Sequence, residues 1–401
     1  MTHPSTRLLP CDPSSISFSP TSDLPSFSSF ETYQALLIAS RHLLNHQPVA
    51  FPTETVYGLG ALALDAPAVS RIFSTKGRPS DNPLIVHVSS FSMLHSILPD
   101  GYQLPRSYEV LIDHFWPGPL TLLFPRKIDT IPNLVTADQP TVAIRMPSHP
   151  VARALIAVAN APLAAPSANS SGKPSPTKAE HVLRDLNGKL DIILDGGPCG
   201  VGLESTVIDG LHEDGNIRVL RPGGVTVEEL ERILLEKLPS TDVIPKVLVH
   251  RRDYTDELIE QAPSTPGMKY RHYSPTAPVT LLHTLKTLPN SIKPISFTAF
   301  LKSLQEKDSK QTLSVGVLAP ADSLLWDRLL PDCGLEWHRY TLGPIGDPSI
   351  TARRLFDGLL TLDNEGVDLI LIEEVEEKRE GLAIMNRVRK AAGESRWIIL
   401  D

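Results

Sequence analysis

KGRPSDNPLIVH, residues 76–87, sets two cations in a Pro/Gly turn directly before an apolar run. The run Leu84–Val88 reads as a short strand, so Lys76, Arg78 and Asn82 stand at a strand end, where ligand sites of α/β proteins lie. Guanidinium forks suit phosphate and carboxylate, while Lys offers a compact point charge. Six further segments repeat the arrangement: PTETVYGLG (52–60), VAIRMP (142–147), APSANSSGKPSPT (165–177), GLESTVIDG (202–210), LRPGG (220–224) and PGMKYRHYSP (266–275). They add hydroxyls, an amide, Arg145 and Arg221. One such loop would carry little weight; seven point to a large polyanionic ligand held by many separate contacts. The 37 prolines are nearly twice the usual share of about 5%, which makes these loops stiff.

Working outward, periodicity predicts a helix over Glu31–Asn45 and strands at Val49–Phe51, Leu120–Phe124, Val142–Ile144, Ile192–Leu194, Thr206–Ile208 and Ile217–Leu220. Helical patterns near 66–74, 106–114, 149–159, 177–187 and 226–236 lie between some of them. Several strands follow one another without a helix, so the sheet is expected to be mixed. Strands at Val279–Leu282, Leu313–Leu318, Glu336–Thr341, Val367–Ile372 and Trp397–Leu400 then alternate with helices near 299–306, 321–330, 350–362 and 381–391. That alternation predicts a second, three-layer α/β domain. The expected divisions are a disordered extension 1–30, a catalytic domain 31–238, a linker 239–276 and a C-terminal domain 277–401. The first 30 residues hold nine Ser and five Pro against one Arg, unlike an Arg-rich presequence. Residues 262–276 combine Lys269, Tyr270, Arg271, His272 and Tyr273 between prolines, and are expected to act as a lid rather than a spacer.

Composition and missing motifs remove many functions. A net charge of −8 over 401 residues argues against non-specific nucleic-acid binding, whose footprint is a basic surface. Cys11, Cys199 and Cys333 offer neither a disulfide framework nor a CxxC site, and no metal ligand set is expected. No apolar run approaches the roughly 20 residues that span a bilayer. The P-loop, HExxH and G-x-S-x-G patterns are absent. Gly58-Leu59-Gly60 lacks the acidic residue about 20 positions on that a dinucleotide site needs, so a tight turn after Tyr57 is expected there. Arg145, between an apolar strand and Met146-Pro147, would need a carboxylate or phosphate partner if buried. His87 reads equally as a core histidine or a ligand contact.

Taken in order, TETVYGLG, KxRP…NPL, AIRMP, PSANxSGxPSPT, GxESTVID, LRPGG and PGMKYRHYSP resemble the threonylcarbamoyl-AMP synthase family, the YrdC-domain family in its two-domain form. The resemblance covers about 30–400. It implies an α/β fold with an N-terminal YrdC-like mixed twisted sheet around a basic cavity and a smaller C-terminal Rossmann-like three-layer domain. It also implies a cytoplasmic nucleotidyltransferase joining L-threonine, bicarbonate and ATP into threonylcarbamoyl-adenylate and pyrophosphate. The product would pass to a threonylcarbamoyl transferase complex acting on tRNA; direct RNA binding is not required, and no membrane is involved. By motif position the catalytic residues would be Lys76, Arg78, Ser167 and Asn169. Threonine would meet Thr55, His87, Arg145, the Ala165 backbone and Ser205. ATP would meet Arg78, Asn82, Thr141, Ser167, Ser175, Arg221 and Tyr273, with Mg²⁺ on its phosphates. The competing readings are a non-catalytic RNA-binding module and a hydrogenase maturation protein, whose cysteine-rich zinc and acylphosphatase segments have no counterpart here.

Overall fold

The computed structural model describes residues 5–239, 241–250, 252–256, 272–284, 293–307, 312–329 and 334–400. The chain divides into two compact units. One is Met1–Ser171 with Ser175–Tyr270, and the other is Arg271–Asp401 with the short stretch Gly172–Pro174. Lys269, Tyr270 and Arg271, which belong to the expected lid, lie outside the described residues.

The first unit is built on an eleven-stranded mixed sheet. Its spatial order is β1 (Arg7–Pro10), β10 (Ile192–Asp195), β4 (Val49–Phe51), β5 (Gly58–Leu62), β9 (Leu163–Ala164), β6 (Ile85–His87), β8 (Thr141–Arg145), β7 (Leu120–Pro125), β11 (Thr206–Asp209), β12 (Ile217–Arg221) and β13 (Val247–Val249). Helix α1 (Phe30–Leu44) starts where the Ser29 hydroxyl accepts the Thr32 amide, and carries Glu31 in its first turn, which suits the helix dipole. Helix α6 (Pro150–Ala159) opens with Pro at its first position and ends at Asn160 in a left-handed conformation, φ 48°. The two helices pack on each other over Leu36, Ala39, Leu43, Leu155 and Ala159, with Phe51 and Leu194 of the sheet in the same cluster. Each such buried Leu or Phe contributes roughly 1.5–3 kcal/mol.

Three expectations fail here. Residues 5–27 are not a disordered extension. β1 pairs in parallel with β10, β2 (Ile16–Phe18) forms a hairpin with β3 (Pro25–Phe27), and the Thr6 hydroxyl donates to the Leu190 carbonyl. The scattered Cys11, Ile16, Phe18 and Phe27 all join the main core; Ser and Pro between them hide any local period. Nor do Gly58 and Gly60 make a tight turn. They lie in β5, antiparallel to both β4 and β9. A Cβ at Gly60 would come within 2.5 Å of the Phe51 ring, so close packing between neighbouring strands, rather than a turn, requires glycine there. The segment taken as linker also contributes β13, whose buried Val247 and Val249 extend the sheet beside β12.

The second unit holds a parallel six-stranded sheet in the order β15 (Ile295–Ser296), β19 (Glu394–Ile399), β14 (Val279–His283), β18 (Leu369–Glu373), β16 (Leu313–Ala319) and β17 (Leu335–Thr341). Helices Phe297–Lys307, Pro348–Glu365 and Glu380–Ala391 supply the crossovers that parallel strands need. Val315, Val317, Leu371 and Phe300 form part of its core. The helix expected near 321–330 is only a 3-10 turn, Leu324–Arg328. Pro320 limits it on one side; Leu325 and Leu329 are buried in the core, while Leu324 at the turn's start faces solvent at 66% exposure.

Candidate active site

The loop after β4 is the hub of the site. Within it the Thr53 hydroxyl accepts the amides of Thr55 and Val56 and donates to the Val56 carbonyl at 2.6 Å, a local turn that suits Thr. Its backbone then bonds to distant loops. Tyr57 N–H donates to Pro176 and Ala168 N–H to Tyr57, each at 2.8 Å. Val201 N–H donates to the Glu54 carbonyl at 2.7 Å and Gly202 N–H to Thr55 at 3.1 Å. Ser171 N–H donates to the Lys76 carbonyl at 2.8 Å, which brings in the turn after helix α2 (Ala66–Lys76). Loops separated by more than a hundred residues are thereby fixed to one another before any ligand arrives.

Arg145 ends β8 and is 3% exposed. Its Nη1 donates to the Thr55 hydroxyl at 3.0 Å and its Nη2 to Glu54 Oε1 at 2.6 Å, while the buried Nε has no hydrogen-bond partner. His87 is the register partner of Arg145 on the neighbouring strand. Its Nδ1 lies 3.1 Å from the Ile85 carbonyl, and burial, with the Arg145 charge added, lowers its pKa to about 3. His87 is therefore neutral at ordinary pH. The Ser205 hydroxyl shares a hydrogen bond with Thr121 at 2.8 Å, and its carbonyl accepts from Arg221 Nη2 at 2.9 Å. The Ser175 hydroxyl donates to Glu204 Oε1 at 2.6 Å.

A second group gathers at the opposite end of β6 and β8. Lys76 closes α2, with Gly77 in the left-handed region at φ 61° as its cap. Its Nζ is buried and donates to the carbonyls of Ser167 and Asn169; burial, reinforced by the Arg78 charge, pushes its pKa well below the ordinary value. Arg78 is half-buried, with Nη2 on the Pro83 carbonyl at 3.0 Å and Nε on Asn82 at 3.3 Å. The buried Oδ1 of Asn82 has no partner. Half-buried Thr141 starts β8, and by register it falls beside this turn. Four residue steps along the strand lead from Thr141 to Arg145, about 13 Å at the usual rise.

The structure thus sorts the expected residues by position. Lys76, Arg78, Asn82, Thr141, Ser167 and Asn169 lie at one end, and Thr55, His87, Arg145 and Ser205 at the other. Ala165, whose N–H donates to the Ile85 carbonyl at 3.0 Å, falls between. Ser175 and Arg221 go with Ser205 rather than with the Lys76 group. Tyr273 belongs to the second unit: its ring packs on Phe356 at 5.2 Å, it is 4% exposed, and its φ is 65°. Glu54, Glu204 and Thr121 were not anticipated as site residues. The need of a buried Arg145 for a carboxylate was legible; which carboxylate answers it was not. Cys199 is buried, which pushes its thiol pKa up and leaves it protonated. Among the described residues no cluster of three or more His, Cys, Asp or Glu could hold a metal, and no helix is long and apolar enough to cross a membrane.

An α/β sheet whose loops carry Lys76 and Arg78 at one end and Arg145 and Arg221 at the other has the make-up of an enzyme class that holds anionic substrates by charge and position. Comparison with known proteins narrows this. The Sua5–YciO–YrdC family model, described as "Telomere recombination", matches residues 41–223, and the model described as "Threonylcarbamoyl-AMP synthase, C-terminal domain" matches 225–393. The threonylcarbamoyl-AMP synthase of Schizosaccharomyces pombe is 44% identical over 383 residues, covering 90% of this chain and 89% of the relative. That of Bacillus subtilis is 42% identical over 88% of this chain and 92% of its own length. The crystal structure of Pyrococcus abyssi Sua5 complexed with L-threonine superposes with a TM-score of 0.75 at 38% identity, covering 99% of this chain and 100% of that one. The chain belongs to the threonylcarbamoyl-AMP synthase family, in its two-domain form.

Proposed function

We infer that this protein joins L-threonine, bicarbonate and ATP to give threonylcarbamoyl-adenylate and pyrophosphate, the adenylate serving threonylcarbamoyl modification of tRNA. Arg145 supports this most directly: its buried Nε has no hydrogen-bond partner, and its backbone stands about 13 Å along one strand from that of Thr141. An amino acid and a nucleotide placed end to end need a site of that length. The threonine carboxylate takes Arg145, with Thr55, neutral His87 and Ser205 around its amine and hydroxyl. The triphosphate takes the Lys76 and Arg78 end, where Ser167, Asn169 and the open Oδ1 of Asn82 lie.

The chemistry follows from this placement. The threonine nitrogen, as the free amine, forms a bond to the carbon of carbon dioxide and loses a proton, or to that of bicarbonate, whose C–O bond breaks to release water; either way a carbamate results. A carbamate oxygen then bonds to the α-phosphorus as the bond to the β-phosphate oxygen breaks and pyrophosphate leaves. Two anions must meet, so preorganised cations and a fixed approach supply much of the catalysis. No protein side chain has to become covalently attached. Mg²⁺ would enter with the nucleotide phosphates, as it ordinarily does; bound there it would neutralise phosphate charge. A cytoplasmic location and a downstream transferase complex fit the role.

Mass spectrometry of the product from ATP, bicarbonate and L-threonine tests the reading, together with threonine-dependent pyrophosphate release. Arg145→Ala should raise the threonine requirement far more than the ATP requirement. An equal rise in both would remove threonine from Arg145. RNA binding without threonine-dependent release would favour the non-catalytic alternative.

A further inference from the structure

Glu54 stands between Thr53 and Thr55 in the hub loop and has no place among the substrate contacts assigned above. We propose that Glu54 is a positioning residue that sets the direction of the Arg145 guanidinium, and through it the affinity for threonine, without touching threonine. This rests on the reading that Arg145 holds the threonine carboxylate.

The carboxylate is clamped from several sides. Oε1 accepts Arg145 Nη2 at 2.6 Å, and Oε2 accepts the amide of Ser148, three residues past Arg145, at 3.2 Å. The backbone carbonyl of Glu54 accepts Val201 N–H at 2.7 Å, so the residue is also tied to the loop that carries Ser205. The two side chains keep only 4% and 12% exposure. With Nη1 on the Thr55 hydroxyl at 3.0 Å, two of the three guanidinium nitrogens are held by one dipeptide. A planar group held at two corners cannot rotate, so its buried Nε keeps one direction before the ligand comes, which is preorganisation.

A second effect runs the other way. Glu54 shares the Arg145 charge with any incoming carboxylate, which by itself would weaken threonine binding. Orientation outweighs it because Arg145 is buried. Without Glu54 the charge is left uncompensated in the interior, and the side chain must rearrange to find another partner.

The test is pyrophosphate release by the full chain carrying Glu54→Gln, which keeps the size of the side chain and an acceptor for the Ser148 amide. The threonine KM should rise at least about tenfold, the scale of one charge-assisted hydrogen bond. The ATP KM should stay within about twofold, with most of kcat recovered at saturating threonine. Glu54→Asp, which keeps the charge on a shorter stem, should show the same split in smaller size, and carries the comparison if the Gln variant does not fold. An unchanged or lower threonine KM overturns the proposal, as does an equal rise in both KM values. Wild-type protein without threonine-dependent release would overturn the assigned function, and this proposal with it.

Discussion

Replacing Lys76 by Met keeps the length and apolar stem of a buried side chain and removes only its ammonium. In the native structure that ammonium donates to the carbonyls of Ser167 and Asn169, 91 and 93 residues away in sequence. Leaving the buried Asn169 carbonyl and the part-buried Ser167 carbonyl without this donor costs about 1–3 kcal/mol each at most. Relief of the buried charge and of its repulsion by Arg78 offsets part of that. A net loss of about 2–4 kcal/mol should lower the melting temperature of the first unit by about 5–15 °C, at 2–4 °C per kcal/mol for a domain of this size. Because Lys76 also faces the expected triphosphate end, turnover should fall at least about 100-fold, as when one charge-stabilising donor is lost. Calorimetry and pyrophosphate release on the same preparation separate the two effects. An unchanged melting temperature would refute the bracing role of the two carbonyl bonds. A melting temperature that drops while turnover stays at the wild-type level would remove Lys76 from the chemistry.

Two further outcomes follow from the packing. The folded His87 pKa of about 3 lies below the ordinary 6.5, so the unfolded chain binds the extra proton between those values and stability falls as pH drops through that window, by about 1.4 kcal/mol per pH unit. Urea titrations at pH 7 and pH 4.5 should show this slope steeper in wild type than in His87→Gln; parallel slopes would mean His87 is protonated in the fold. Deleting residues 1–11 removes β1 and the Thr6 bond to Leu190, and should lower the urea midpoint of the first unit. A disordered extension would leave that midpoint where it was.

Much of the architecture could be read from local sequence because its cause is local. Short apolar runs such as Val142–Ile144 and Thr206–Ile208 sit between rigid turns, and both become strands within a residue or two of the expected bounds. The stiff Pro/Gly loops likewise follow from local composition, and the structure ties several of them to one another by backbone hydrogen bonds. What these residues do to each other depends on contacts between segments far apart in the chain, which periodicity does not report. Arg145 at a strand end announced a need for a carboxylate, but Glu54, 91 residues earlier, became its partner only because β4 and β8 place their following loops together. Gly60 looked like a turn until the ring of Phe51 on the adjacent strand accounted for it. The Ser- and Pro-rich first residues became strands because an open edge of β10 and an apolar surface over α1 were there to receive them. Local composition set the menu of strands, stiff loops and cations; register and burial across the sheet decided which carboxylate neutralises which cation, and so which donors stay open for a ligand.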